Sequence, residues 1–165
     1  MLRKSNFKLS RFIIRTVFIY YILLVISLTW FSIPLITRWS AHIHSFTELN
    51  QQDNFIPFLS ISNTLFHSVG LEVILKQLGG NILLFLPFGF LLPIVSEKYH
   101  TPIKMLIASI LFSLCIELGQ AVISFIVGIT YRSTDIDDVI LNTLGGMIGF
   151  CLIKLPFRLL SAKKK

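Results

Sequence analysis

The sequence predicts an all-α, polytopic membrane helical bundle, and three observations predict it: four long apolar runs, a scarcity of charge, and basic residues confined largely to alternate connections. Only 14% of residues are charged against 54% hydrophobic, and the mean hydropathy is +0.77, whereas soluble domains carry about 25% charge. The bilayer is the solvent that such a composition requires. The expected organisation is a basic N-terminal segment, residues 1–15, a transmembrane domain, residues 16–155, and a basic tail, residues 156–165, with no second domain.

The first apolar run, residues 16–35, has 20 residues, enough to cross about 30 Å of hydrocarbon at 1.5 Å per residue. Arg3, Lys4, Lys8, Arg11 and Arg15 before it imitate the start of a signal peptide, but the run is too long for one, so a retained anchor is expected. Trp30, Phe31 and Trp39 sit where interfacial aromatics belong. A long polar connection follows, and its later part, residues 65–78, mixes aliphatics with Glu72 and Lys76, which predicts an interfacial or re-entrant segment.

The second span is predicted over residues 78–95, kinked by Gly79, Gly80, Pro87, Gly89 and Pro93. The third covers residues 105–128 and the fourth residues 139–155. Arg3, Lys4, Lys8, Arg11, Arg15, Lys98, Lys104, Lys154, Arg158, Lys163, Lys164 and Lys165 fall on one side of this scheme, and only Arg38, Lys76 and Arg132 on the other. Positive charge marks the cytoplasmic face, so both termini are expected there. Topology therefore accounts for the net charge of +7. No basic stripe interleaves with aromatics on a soluble face, so membrane lipids, not nucleic acid, are the expected partners.

Polar residues inside the spans carry the chemistry. Ser109, Ser113, Glu117, Gln120 and Ser124 recur every three or four positions and share one face of the third helix. Glu117 would lie about 16 Å from the nearer end of that helix, a depth at which a carboxylate must be paired, protonated or functional. An interhelical hydrogen-bond anchor is the structural alternative. Asp135, Asp138, Asn142, Gly145 and Gly149 form a second stripe on the fourth helix, expected to face the first. Gly145 and Gly149 make a G-x-x-x-G pair that admits a neighbouring helix closely. Asp135, Asp137 and Asp138 also suit capping and the dipole at a helix start, where Thr134 with Asp137 or Asp135 with Asp138 could form the cap. Asn81 joins this end from the second span, and Arg132 stands over it with a guanidinium that fits phosphate or carboxylate, or simply pairs with Asp135 or Asp138.

His42, His44, His67 and His100 lack metal-ligand spacing with the acids, so neither a metal nor a cofactor is expected. Cys115 and Cys151 lie in apolar stretches and read as buried, unpaired packing residues. Nucleophile elbows, phosphate loops and Cys-His arrangements are missing from the sequence.

The run Asn81-Ile82-Leu83-Leu84-Phe85-Leu86-Pro87-Phe88-Gly89-Phe90-Leu91-Leu92-Pro93, the segment Ile116-Glu117-Leu118-Gly119-Gln120, the stretch from Arg132 to Asp138, and Asn142-Thr143-Leu144-Gly145-Gly146 together resemble the VanZ-like family. Asn54-Phe55-Ile56-Pro57-Phe58 resembles that family's Asn-x-x-Pro-Phe element. The likeness runs over residues 54–150, with Gly119 replacing a more usual aliphatic residue. It implies a bacterial, typically Gram-positive, cytoplasmic-membrane protein, whose namesake confers low-level resistance to teicoplanin, a lipid-bearing glycopeptide that acts on the cell-wall precursor. The family's recurrent polar positions map onto Asn81, Glu117, Gln120, Arg132, Asp135, Asp137, Asp138 and Asn142.

Two classes of function follow. One is a non-enzymatic tolerance or envelope factor that binds the lipoglycopeptide antibiotic, or an envelope lipid precursor, at an outward polar cleft. The other is an intramembrane enzyme on a lipid head group, with Glu117 as acid or base and Arg132 with Asn81 on a phosphate. A proton-coupled transporter is a third reading, which four spans accommodate best as a homo-oligomer.

The count of basic residues makes a topological prediction. In a cysteine-free background, a cysteine at position 161 should resist an impermeant reagent in intact cells and one at position 51 should react. The reverse pattern would invert the orientation of the acidic site.

Overall fold

A computed structural model of the chain describes residues 2–30, 53–67, 70–127 and 133–162. Its long elements are helices: α1 (Leu2–Trp30), the short α2 (Leu59–His67) and α3 (Leu71–Ile74), α4 (Gly80–Val95), α5 (Pro102–Val127) and α6 (Ile136–Ala162). Among the described residues no β-strand occurs, and four stretches are long and apolar enough to cross a membrane: Arg11–Trp30, Leu71–Val95, Pro102–Ile126 and Ile136–Leu155. Large apolar side chains such as Tyr20, Leu83, Leu118, Phe125 and Leu155 cover the outside of the bundle. In a membrane-spanning protein that surface is the lipid contact.

The second span differs from expectation. The continuous apolar helix that contains it begins at Leu71, because a π-helical turn, Leu75–Gly79, carries α3 directly into α4. The Glu72–Lys76 pair that interrupts the apolar pattern is an exposed i,i+4 ion pair at 2.6 Å on this helix. Gln77 accepts a 2.8 Å hydrogen bond from the Thr64 hydroxyl, tying α2 to the same turn. Pro87 and Pro93 lie within α4 without ending it. Tyr21 of α1 donates to the Leu84 carbonyl at 2.6 Å, and the His100 Nε2–H donates to the Pro93 carbonyl at 2.8 Å, so neighbouring groups serve backbone acceptors along this helix and at its end.

The centre is aromatic and sulfur-bearing: Val25, Phe85, Phe88, Leu92, Met105, Ile116 and Phe150 are buried together. Phe88 stacks on Phe112 at 4.8 Å between ring centres, and Phe18 on Phe88 at 6.1 Å, joining α1, α4 and α5. Cys115 and Cys151 do not pack into this core. Both are exposed on the outer surface of the bundle, because an apolar run alone does not distinguish the lipid face from the interior.

Glycine decides the α4–α6 contact. A methyl built on Gly145 would strike the Ile82 carbonyl, one on Gly149 the Leu86 carbonyl, and one on Gly89 the Gly146 carbonyl. The G-x-x-x-G pair therefore receives α4, the second span, rather than α5, which the polar stripes had put opposite it. Trp30 also departs from a purely interfacial placement: its ring lies on Gly119, where a side chain would collide with it, and its Nε1–H donates to the Ile116 carbonyl at 3.3 Å. The glycine at this position thus makes a seat for the end of α1.

Gly145→Leu should overpack a backbone-to-backbone contact and cost about 3 kcal/mol or more, lowering the melting temperature in detergent by roughly 10 °C for a chain of this size. Gly70→Ala, with open space around it, is the matched control. Equal melting of the two variants would refute the close α4–α6 contact.

Candidate functional site: an acidic clamp at one end of the bundle

The polar face of α5 points inward. Ser109, Ser113, Glu117 and Gln120 are all buried, Glu117 being 4% exposed, and Ser124 is half-buried. Glu117 Oε2 accepts the Asp135 backbone N–H at 3.1 Å. Further along the pair, Asn142 Nδ2 donates to Ser113 Oγ at 2.8 Å, and Ser109 Oγ lies against Gly146. The two helices thus share a polar seam. Gln120 donates to the Thr29 carbonyl of α1 at 3.1 Å, so the amides of Gln120 and Asn142 bond to different helices.

The start of α6 gathers the acids. Asp135 caps the helix, its Oδ1 accepting the Asp137 N–H at 2.8 Å, and its carbonyl receives the Asp138 N–H at 3.1 Å. Asn54 pairs with this turn as a one-residue parallel bridge: its N–H donates to the Thr134 carbonyl at 2.9 Å and its carbonyl accepts the Ile136 N–H at 3.0 Å. The Asn54 amide also donates to Asp135 Oδ1 at 2.9 Å and to Ser60 Oγ at 3.0 Å, while its oxygen holds the Ile56 N–H at 3.0 Å. Asp53 accepts the Thr134 N–H at 2.8 Å.

Asp137, 1% exposed, serves another element. Its two oxygens accept the Phe58 N–H at 2.5 Å and the Ile61 N–H at 3.0 Å, so an α6 side chain caps the start of α2. Phe58 has φ 67, an uncommon conformation for a bulky residue, costing of order 1–3 kcal/mol. The charge-assisted bonds of Asp137 offset it. Asp138 Oδ1 accepts from Asn81 Nδ2, joining α6 to α4.

Asn81, Glu117, Asp135, Asp137, Asp138 and Asn142 are therefore brought to one region or to the seam beneath it, Gln120 lies beside it toward α1, and Arg132 lies outside the described residues. Asn54 is prominent only through the family resemblance and not through helical spacing, yet three of its five hydrogen bonds join the loop to the start of α6. The signal for it was the Asn-x-x-Pro-Phe element. Each backbone N–H from Asp135 to Asp138 already has an acceptor within the protein. No group of three or more His, Cys, Asp or Glu side chains among the described residues is arranged to hold a metal ion. Among the described residues, Ser109 Oγ, Gln120 Oε1, Asn142 Oδ1 and Thr143 Oγ1 are buried without a hydrogen-bond partner. Such atoms favour a donor-bearing ligand or water.

Fold and site define a multi-pass membrane protein with an acid- and amide-rich clamp at one end of a four-span bundle. The family model described as VanZ/LLP1 matches residues 18–158, and the chain belongs to that VanZ-like family. The chain is similar to Protein VanZ of Enterococcus faecium, at 33% identity over 89 residues, which are 54% of this chain and 51% of that protein. It thus matches about half the length of this relative. No solved structure matches the chain.

Removing the Asp137 carboxylate should release the start of α2. Amide exchange at residues 58–62 in Asp137→Ala should report a loss of roughly 2–4 kcal/mol of local protection, with Asp137→Asn, which keeps one acceptor oxygen, intermediate. Unchanged exchange in both variants would show that the clamp does not hold α2.

Proposed function

We propose that this protein is a VanZ-like envelope factor of a bacterial cytoplasmic membrane that raises tolerance to teicoplanin-type glycopeptides, with the acidic clamp facing outward and its ligand a lipoglycopeptide or envelope lipid precursor. The observation that carries the reading is Glu117, a buried carboxylate of a membrane-spanning helix, held by the Asp135 N–H where α4, α5, α6 and the Asn54 loop converge. Intramembrane carboxylates are costly and mark functional positions. The unpartnered oxygens of Gln120 and Asn142, one turn to either side of Glu117, suit hydroxyl, amide or ammonium donors. Charge supports the orientation: Arg11, Arg15, Lys98 and Lys154 lie at the end of the bundle opposite the acids.

The phosphate-binding enzyme has less support. Asn81 donates to Asp138, and the backbone donors at the start of α6 are already engaged, so among the described residues these donors are directed at carboxylates and carbonyls.

Expression in a susceptible Gram-positive host should raise the teicoplanin concentration needed to stop growth. Glu117→Gln and Asp138→Asn should reach the membrane at normal abundance and abolish that gain, Arg132→Lys should do the same if its fork belongs to the site, and Lys164→Gln should change nothing. Full tolerance in Glu117→Gln and Asp138→Asn at matched abundance would overturn the acidic site as the seat of function.

A further inference from the structure

The end of the bundle opposite the acids carries a cleft of about 540 Å³ between the first membrane turns of α1 and the connection that leaves α4. This volume lies within the range of ligand pockets, roughly 300–1,000 Å³. Arg11 and Arg15, four positions apart on α1, and Lys98 from the connection line it, with Glu97 the one carboxylate among its lining residues. Three cations against one anion leave a net charge of +2 in the cleft. Ile14 and Ile94 supply an apolar wall.

Position adds a second constraint. Arg11 begins one apolar span and Val95 ends another, so the cleft opens at the boundary between hydrocarbon and head groups. A neighbouring cavity of about 420 Å³ on the far side of Ile94 and Glu97 has Lys154 and His100, and His100 is directed to the Pro93 carbonyl. That cavity lacks the excess of cations. A ligand of the larger cleft must therefore be anionic at one end and apolar at the other, and guanidinium forks fit phosphate oxygens.

We propose that this cleft binds the phosphate head group of an anionic membrane lipid, with Arg11, Arg15 and Lys98 on the phosphate and the acyl chains leaving along Ile14 and Ile94. The site is separate from the acidic clamp and does not rest on the function proposed for it.

The test uses the full chain in neutral detergent, titrated with phosphatidylglycerol or phosphatidylcholine of equal chain length and read by native mass spectrometry. One phosphatidylglycerol should be retained saturably, and phosphatidylcholine should be lost. Combined Arg11→Gln, Arg15→Gln and Lys98→Gln should weaken retention by at least about tenfold. A triple variant of equal charge loss, Lys76→Gln, Lys104→Gln and Lys154→Gln, should weaken it less than about twofold, because none of these residues lines the cleft and their charges are screened by salt. Arg11→Lys with Arg15→Lys keeps the charge without the forks and should fall between wild type and the glutamine triple. Displacement of the lipid by millimolar glycerol phosphate would assign the cleft to a soluble phosphate and overturn the lipid reading. Equal losses in the two triple variants, or equal retention of both lipids, would reduce it to general surface charge and overturn it as well.

Discussion

A backbone or side-chain polar group within a bilayer must find its partner inside the protein, because lipid offers none. The bond from the Asp135 N–H to Glu117 Oε2 meets that demand for a carboxylate in the middle of α5 and for the first backbone donor before α6 at once. It also sets the register of two antiparallel helices. Four residues down α5, Ser113 receives Asn142, and four further, Ser109 meets Gly146, four residues beyond Asn142. Equal steps of about 6 Å on both helices keep the seam in phase. The first step is longer on α6, from Asp135 to Asn142, which the length of the Glu117 side chain accommodates.

Against this polar seam on one side, α6 presents glycine on the other. Without a hydrophobic gain between helices in lipid, close van der Waals contact has to supply the association, and Gly145, Gly149 and Gly89 let α4 and α6 approach until backbone meets backbone. That proximity brings Asn81 to Asp138. The same helix therefore gives packing and site: its glycines fix where α4 starts, and the start of α4 supplies a donor to the acids. The Asn54 loop then closes the end, held by Thr134, Asp135 and Ile136, while Asp137 fixes the α2 that follows.

Four apolar spans were legible because composition and run length respond directly to the bilayer. The inward face of α5 was legible for a similar reason: five polar residues at helical spacing can share one side only. Partnership was less legible. A G-x-x-x-G pair specifies that some helix comes close without naming it, and the complementary feature, Gly89 against Gly146, lies in a run read for its kinks. The helical stretch Leu71–Gly79 was obscured by Glu72 and Lys76, whose mutual pairing lets them ride at the end of a long apolar helix. Asp137 stands where capping of its own helix is the local alternative to a ligand-binding role, yet it caps a helix lying more than seventy positions away in sequence. No local pattern encodes such a contact. The cysteines illustrate the remaining ambiguity, since lipid and core select the same residue types.

Helix α1 is joined to the bundle differently at its two ends. Near Trp30 the attachment is protein to protein: the indole on Gly119, Gln120 on the Thr29 carbonyl, and, two turns away, Tyr21 on the Leu84 carbonyl. Near Arg11 the cations of α1 share a cleft with Lys98 and one carboxylate, Glu97, which leaves an excess of positive charge at the edge of the apolar spans. An anionic head group is the counter-charge that the membrane itself provides. On this account the protein completes its acidic end with its own backbone donors and its basic end with lipid, and the one-sided distribution of lysine and arginine serves the seating of α1 as well as the orientation of the chain.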